Sequence, residues 1–215
     1  RYNHKHNHKN EGNTMHPNTL TYYIPGYNSS GNTTRKLQAR IPHLLELTYD
    51  VLQPATSLAQ MAQKIQQTNS PTINFIASSL GGWYAERLSA VIAEAVTDPV
   101  TDPSPNIHLH LILYNPSINA ETNLAKYGLP AAVLDEYTTL KTQYPSAFAP
   151  HTRSVIVSID DDIVSPHDSI AYYTDHCEHD TDRVELIQTT GGHRMTEGNL
   201  GLVVGYAVRF DSPHY

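Results

Sequence analysis

Residues 75–90 read "FIASSLGGWYAERLSA", an apolar run that passes through two serines, a leucine and two glycines straight into a helix-forming segment. No longer polar loop separates the two. A chain that turns so abruptly needs small residues on both sides of the corner, because strand and helix backbones pass close together there. Ala77-Ser78-Ser79-Leu80-Gly81 fits the nucleophile elbow G-x-S-x-G, with alanine for the first glycine. In that elbow the central serine, here Ser79 and not Ser78, occupies a strained turn that lifts its hydroxyl above the sheet edge. The helix behind it aims N–H groups and a positive dipole end at a developing oxyanion. Taken alone, the pentapeptide also reads as a tight turn made of small residues, so its surroundings decide.

Those surroundings alternate between strand-like and helix-like segments. Strands are expected at 18–24, 47–52, 72–77, 107–115, 154–159 and 183–190. Helices are expected at 33–40, continuing through "HLLEL" beyond Pro42, then at 57–67 with Ser57 as N-cap, and at 83–96, 165–176 and 198–210. A proline-rich loop follows the third helix, and a short helical piece is expected around "PAAVLDEYTTL". Such alternation in one domain predicts a mostly parallel sheet with helices on both faces. Ligands then sit beyond the carboxyl ends of the strands, where the loops at Pro25, Ser79, Asp161 and His193 all fall.

The chain's 215 residues suffice for one domain with a sizeable core, expected at 18–215. Residues 1–17 are polar and lack apolar periodicity; His4, His6 and His8 alternate there. The expectation is a disordered tail, native or tag-derived, rather than a metal site. The chain opens on Arg1 without the apolar stretch of a signal peptide, so the numbering is expected to start inside a longer precursor. A formal charge of -7 with dispersed acidic and basic residues argues against nucleic acid as a partner. No apolar run is long enough to span a membrane. The single cysteine, Cys177, allows no internal disulfide and is compatible with a reducing compartment; a cytoplasmic location is the expectation.

A serine nucleophile needs a base, and the base needs a carboxylate to orient it. Asp160-Asp161-Asp162 follows one predicted strand and His193, in "GGHRM", follows the next. The order Ser, Asp, His matches the hydrolase sheet on which the elbow occurs. Asp161 stands three before Val164 and is the first choice of acid; Asp162 is the second, and Asp160 reads as a solvated or structural neighbour. The oxyanion hole needs two donors. One is the N–H of Leu80, directly after the nucleophile; the other is assigned to Tyr27, where Gly26 lets the backbone approach. His108 and His110 alternate with Ile107, Leu109 and Leu111 and are expected to pack on one strand face. His167 is expected to be exposed, and His176, Cys177 and His179 do not supply a full metal ligand set.

The series "YIPGYNSS", "FIASSLGGWYAERLS", "LYNPSI", "IAYYTDHC" and "ELIQTTGGHRM", between Tyr22 and Met195, resembles the blocks of YqiA-like esterases, small α/β-hydrolases that typically carry "HGFNSS", "GSSLGGYYA", "NPA" and "EGGxH" in this order. The resemblance implies an α/β-hydrolase fold with a small or absent cap. It also implies a serine esterase acting on short-chain acyl esters without metal or organic cofactor, with a small-molecule ester or thioester as its partner. The family's nucleophile, acid and base fall on Ser79, Asp161 and His193, and its oxyanion donors on Tyr27 and Leu80. Pro25 stands where the family usually has histidine, Ala77 replaces the usual glycine, and 116–152 is only loosely similar. That last stretch is a candidate small cap, with Ile118, Leu124, Tyr127, Leu129, Val133 and Leu134 as apolar lining. A non-catalytic binding protein of the same fold and an acyltransferase using the same residues are the alternatives.

Overall fold

Strand-forming residues whose neighbours on both sides are apolar can bury both faces of a sheet, and the chain does so in a computed structural model describing residues 19–68, 70–96, 107–149, 151–177 and 183–211. The strands are β1 (Thr19–Ile24), β2 (Leu45–Glu46), β3 (Thr72–Ser78), β4 (His108–Tyr114), β5 (Thr152–Ser158) and β6 (Val184–Thr189). They pair in the order β2-β1-β3-β4-β5-β6, and every pairing is parallel. The helices are α1 (Asn32–Gln38), α2 (Pro54–Gln66), α3 (Leu80–Val96), α4 (Ala120–Ala125), α5 (Ala131–Gln143), α6 (Pro166–Cys177) and α7 (Glu197–Asp211).

Side chains alternate across the sheet and build two cores. Tyr22, Ile24, Phe75, Ala77, Leu111 and Leu113 face α2, α3, α5 and α6. Tyr23, Ile76, Ile112 and Ile156 face Leu37 of α1 and Leu200 and Val203 of α7. The fold is thus the expected α/β sandwich of helix, sheet and helix. A buried ion pair ties its larger layer to the sheet. Arg153 of β5 donates through Nε and Nη2 to the Glu86 carboxylate of α3 at 2.8–3.2 Å, and the Tyr173 hydroxyl of α6 donates to the same group at 2.8 Å. Burial pushes the Glu86 carboxyl up, but the charge and hydrogen bonds of Arg153 outweigh it and hold it below the usual range. Removing one member of such a pair costs about 3–5 kcal/mol, because the other charge stays buried alone.

Three local expectations need correction. The helix does not continue through "HLLEL"; Leu45 and Glu46 form β2 instead, in register with Tyr22 and Tyr23. The strand expected at 47–52 is absent, and Val51-Leu52 form a turn whose Leu52 N–H donates to the Asp50 carboxylate at 2.9 Å. Ser57 does not cap α2. The helix starts at Pro54, whose missing N–H suits the first turn, and the Ser57 hydroxyl bonds the Asp50 backbone. The short α4 has no counterpart in the expected elements. The 1–17 tail and the proline-rich loop after α3 lie outside the described residues.

Candidate active site

The corner between β3 and α3 is built by crowding. Ser79 takes a left-handed conformation at φ 51°, uncommon for any residue but glycine. Its N–H donates to the Tyr114 carbonyl at 3.1 Å, and its carbonyl accepts from Ser117 at 3.0 Å and Gly82 at 2.9 Å. Glycine is required on the helix side. A Cβ at Gly81 would collide with the Ile24 carbonyl and lie 2.7 Å from the Pro25 carbonyl oxygen; one at Gly82 would lie 2.7 Å from the Pro116 ring. On the strand side Ala77 is fully buried, so its methyl is accommodated. The neighbouring Ser78 is set differently, at the end of β3 with its hydroxyl 3.0 Å from the Tyr23 hydroxyl.

Gly26 brings the loop after β1 against this corner, and a Cβ there would lie 3.1 Å from Ser79 Cβ. Pro25 leaves the approach intact; its carbonyl accepts from the Tyr49 hydroxyl at 3.0 Å. Among the described residues, the N–H groups of Tyr27 and Leu80 have no hydrogen-bond acceptor, and both residues line the same cleft as Ser79.

The loop after β6 is built by tethers. His193 Nδ1 lies 2.8 Å from Asp161 Oδ2 and 3.1 Å from Oδ1. Asp161 is itself fixed, its Oδ1 accepting from the N–H groups of Ile163 at 2.8 Å and Val164 at 3.0 Å, with the side chain 1% exposed. Asp162 is exposed on the cleft wall and does not reach the imidazole. Asp160 holds the turn before the histidine: its carboxylate accepts from Gly191 N–H at 2.9 Å, Gly192 N–H at 3.0 Å and the Ser158 hydroxyl at 2.7 Å. The Ser158 hydroxyl and the two glycine N–H groups hold the Asp160 carboxyl below its usual range.

The Gly192 carbonyl is bound from beneath by Tyr114 Oη and Asn115 Nδ2, each donating at 3.0 Å. Asn115, left-handed at φ 45°, also accepts from the Ser158 N–H at 2.7 Å and so links β4, β5 and the histidine loop. Burial pushes the Tyr114 phenol up and keeps it a donor. Sequence reasoning named neither Tyr114 nor Asn115 for the site. The available signal was the Asn-Pro dipeptide at the end of a predicted strand.

Ser79 and His193 therefore line one cleft of about 840 Å³ at the carboxyl ends of the strands. No hydrogen bond joins the hydroxyl to the imidazole among the described residues. Of the six residues expected to line a cap, Leu124 and Tyr127 reach the cleft, Tyr127 packing edge-on to Tyr27 at 5.3 Å. Ile118, Leu129, Val133 and Leu134 pack against the larger core instead. A separate cavity of about 200 Å³, near Trp83, Arg87 and Lys141, contains neither Ser79 nor His193.

Among the other histidines, His108 and His110 share a face and both contact the Thr152 hydroxyl, at 3.3 and 2.7 Å. The side chain of His167 is 92% exposed. Among the described residues no group of three or more His, Cys, Asp or Glu converges as a metal site, and no helix is long and apolar enough to cross a membrane. His4, His6, His8 and His179 lie outside the described residues, as do the side chains of His176 and Cys177.

Solved structures share this architecture. A protein of Agrobacterium vitis S4 provisionally assigned as a hydrolase superposes with a TM-score of 0.65 at 14% identity, covering 90% of this chain and 87% of that one. The Pyrococcus furiosus esterase Pf2001 gives 0.55 at 15% identity, over 89% of this chain and 83% of that one. Zea mays acyl-protein thioesterase 2 gives 0.58 at 14% identity, over 90% and 94%. The fold is that of the α/β-hydrolases. No curated protein sequence matches the chain. The motif series from the first strand to the histidine loop nevertheless coincides with a family model, described as "Uncharacterised protein family (UPF0227)", over residues 20–196, and the chain belongs to that family, the YqiA family.

Proposed function

We propose that the protein is a serine hydrolase of carboxylic esters or thioesters. The observation that carries this reading is the Asp161–His193 pair, 2.8 Å apart with the carboxylate buried and the imidazole partly exposed, opening on the same cleft as a left-handed Ser79. In an unliganded hydrolase the nucleophile–base hydrogen bond is often long and tightens when substrate binds. The esterase and thioesterase among the structural neighbours share the fold and agree with the assignment.

In the first step Ser79 Oγ bonds to the acyl carbon while its proton passes to His193 Nε2. Asp161, accepting at Nδ1, holds the tautomer and balances the imidazolium charge. The carbonyl oxygen becomes an oxyanion facing the free N–H groups of Tyr27 and Leu80, each worth about 3 kcal/mol in comparable sites. The carbon–oxygen or carbon–sulfur bond then breaks, and His193 gives its proton to the departing alcohol or thiol. Water repeats the sequence on the acyl-enzyme: it gives its proton to His193, adds to the acyl carbon and releases the carboxylic acid, and Ser79 recovers the proton.

The test is turnover of p-nitrophenyl butyrate together with covalent labelling by a fluorophosphonate. Both are expected in the wild type and abolished in Ser79→Ala. Labelling or turnover that survives in the variant would reject Ser79 as the nucleophile, and a wild type inert to both would reject the hydrolase.

A further inference from the structure

The two walls of the cleft are chemically unlike. One comes from a single stretch after β1, where Asn28, Ser29, Ser30, Asn32 and Thr33 line the cleft with uncharged hydrogen-bonding groups. Among the described residues the side chains of Asn28, Ser29, Ser30 and Asn32 make no hydrogen bond, so their capacity is unspent. The other wall, on the α4 side, presents the apolar Leu124 and Tyr127 beside Asn123, while Ile163 and Val164 belong to the loop that carries Asp161. Resting on the hydrolase reading above, we propose that the preferred substrates are acyl esters of uncharged, multiply hydroxylated alcohols, polyols or sugars, with the acyl chain on the apolar wall and the alcohol on residues 28–33.

Proton delivery fixes which wall receives which part. His193 must protonate the departing oxygen, so the alcohol lies toward the histidine loop. The polar wall is joined to that side: Lys36 of α1 and Arg40 just beyond the helix donate to Glu197, four residues past His193, at 2.6 and 2.8 Å. Charge argues against an anionic alcohol. Lys36 is paired with Glu197, and the remaining charged residues on the cleft, Arg194 and Asp162, are opposite in sign. At about 840 Å³ the cleft also exceeds what a simple short-chain alkyl ester fills. A site built to hydrogen-bond hydroxyl groups discriminates strongly against an analogue that lacks them, because its own polar groups are then left unpaired.

The experiment compares kcat/KM for ethyl butyrate, glycerol monobutyrate and 6-O-butyryl-glucose, which share the acyl group and have leaving alcohols of similar reactivity. The hydroxylated esters are expected to exceed ethyl butyrate by about tenfold or more. The triple variant Asn28→Gly, Ser30→Ala, Asn32→Ala is expected to bring that ratio toward unity, glycine being chosen at 28 because the position is left-handed at φ 56°. Asn32→Ala alone, expected to lower the ratio in part, gives the same reading if the triple variant does not fold.

A wild-type ratio near one, or a ratio the variants leave unmoved, overturns the proposal. So does a preference for the butyryl ester of glycerol phosphate over that of glycerol. If the ratio fails while p-nitrophenyl butyrate turnover still depends on Ser79, only this inference falls. If no ester is turned over and the fluorophosphonate does not label the wild type, both readings fall.

Discussion

The two loops that meet at the cleft are held by opposite means. The Ser79 corner is fixed by close packing of backbone, with Gly81 against the Ile24 and Pro25 carbonyls, Gly82 against Pro116 and Gly26 against Ser79 itself. The His193 loop has no such backbone crowding: an added Cβ would meet nothing within 4 Å at Gly192, and at Gly191 it would meet side-chain atoms only, Thr196 Cγ2 at 2.8 Å and Asn199 Nδ2 at 2.9 Å. It hangs instead on polar contacts from Asp160, Tyr114 and Asn115. Steric confinement tolerates little change before the backbone must move. A hydrogen-bonded tether weakens in steps and lets water substitute for a lost partner. The Ser79 side should therefore fail abruptly when altered and the His193 side gradually.

Gly81→Ala is the most severe way to break that contrast. Its methyl would overlap a backbone carbonyl, which cannot swing aside as a flexible side chain could. We expect a loss of about 4 kcal/mol or more, read as a melting temperature lower by about 10 °C or as insoluble protein. A folded and active Gly81→Ala protein would show that the corner is not sterically confined.

Asn115→Asp addresses the other side and should act on activity more than on the fold. It keeps the acceptor for the Ser158 N–H and a residue type that tolerates the left-handed region, but places a carboxylate oxygen opposite the Gly192 carbonyl. With His193 as the proposed base, a kcat lower by about tenfold to a hundredfold is expected, with a smaller thermal shift than in Gly81→Ala, since small displacements of a catalytic group are costly. Unchanged kcat would mean that the histidine loop does not depend on this tether. Asp160→Ala should do less, about threefold to tenfold in kcat/KM, because its carboxylate is solvent-exposed and water can replace it at the two glycine N–H groups. An effect of Asp160→Ala larger than that of Asn115→Asp would reverse the assigned order of the tethers.

The same contrast explains what could be read from the sequence. Steric confinement leaves a local trace: Ala77, Gly81 and Gly82 stand within five residues of Ser79, and small residues around a serine mark the corner and the strand and helix beside it. The sheet was legible from its own residues too, since runs such as Phe75–Ala77 and Leu111–Leu113 are apolar on both faces. Tethers leave no such trace. Asn115 and Gly192 are 77 residues apart, and nothing near either names the other. Residues 43–52 were misread because β2 is only two residues long, too short for a period, and exists through pairing with Tyr22 and Tyr23 rather than through its own propensity.

At the opposite end of the sheet, buried histidines make the most separable prediction. Burial, the neighbouring His108 and the charges of Arg209 and Arg153 press His110 down to about 3, while burial first and then Arg153 press His151 down to about 4. Both lie below the ordinary value of 6.5, so the unfolded chain takes up these protons first. Their contribution to stability is complete above about pH 6.5 and is lost as the pH falls from there toward the folded values, at up to about 1.4 kcal/mol per pH unit for each histidine.

The Asp160 tether runs on a lower scale. Its carboxyl is held below 3.8, so that contribution persists until the pH falls beneath that value. Melting temperature should therefore begin to decline near pH 6.5 while the histidine loop is still tethered, and His110→Gln should flatten the decline between pH 6.5 and 4 without altering behaviour above it. A melting curve insensitive to pH across that interval would show that these histidines are not held neutral, and that acid acts first on the tethered loop rather than on the far end of the sheet.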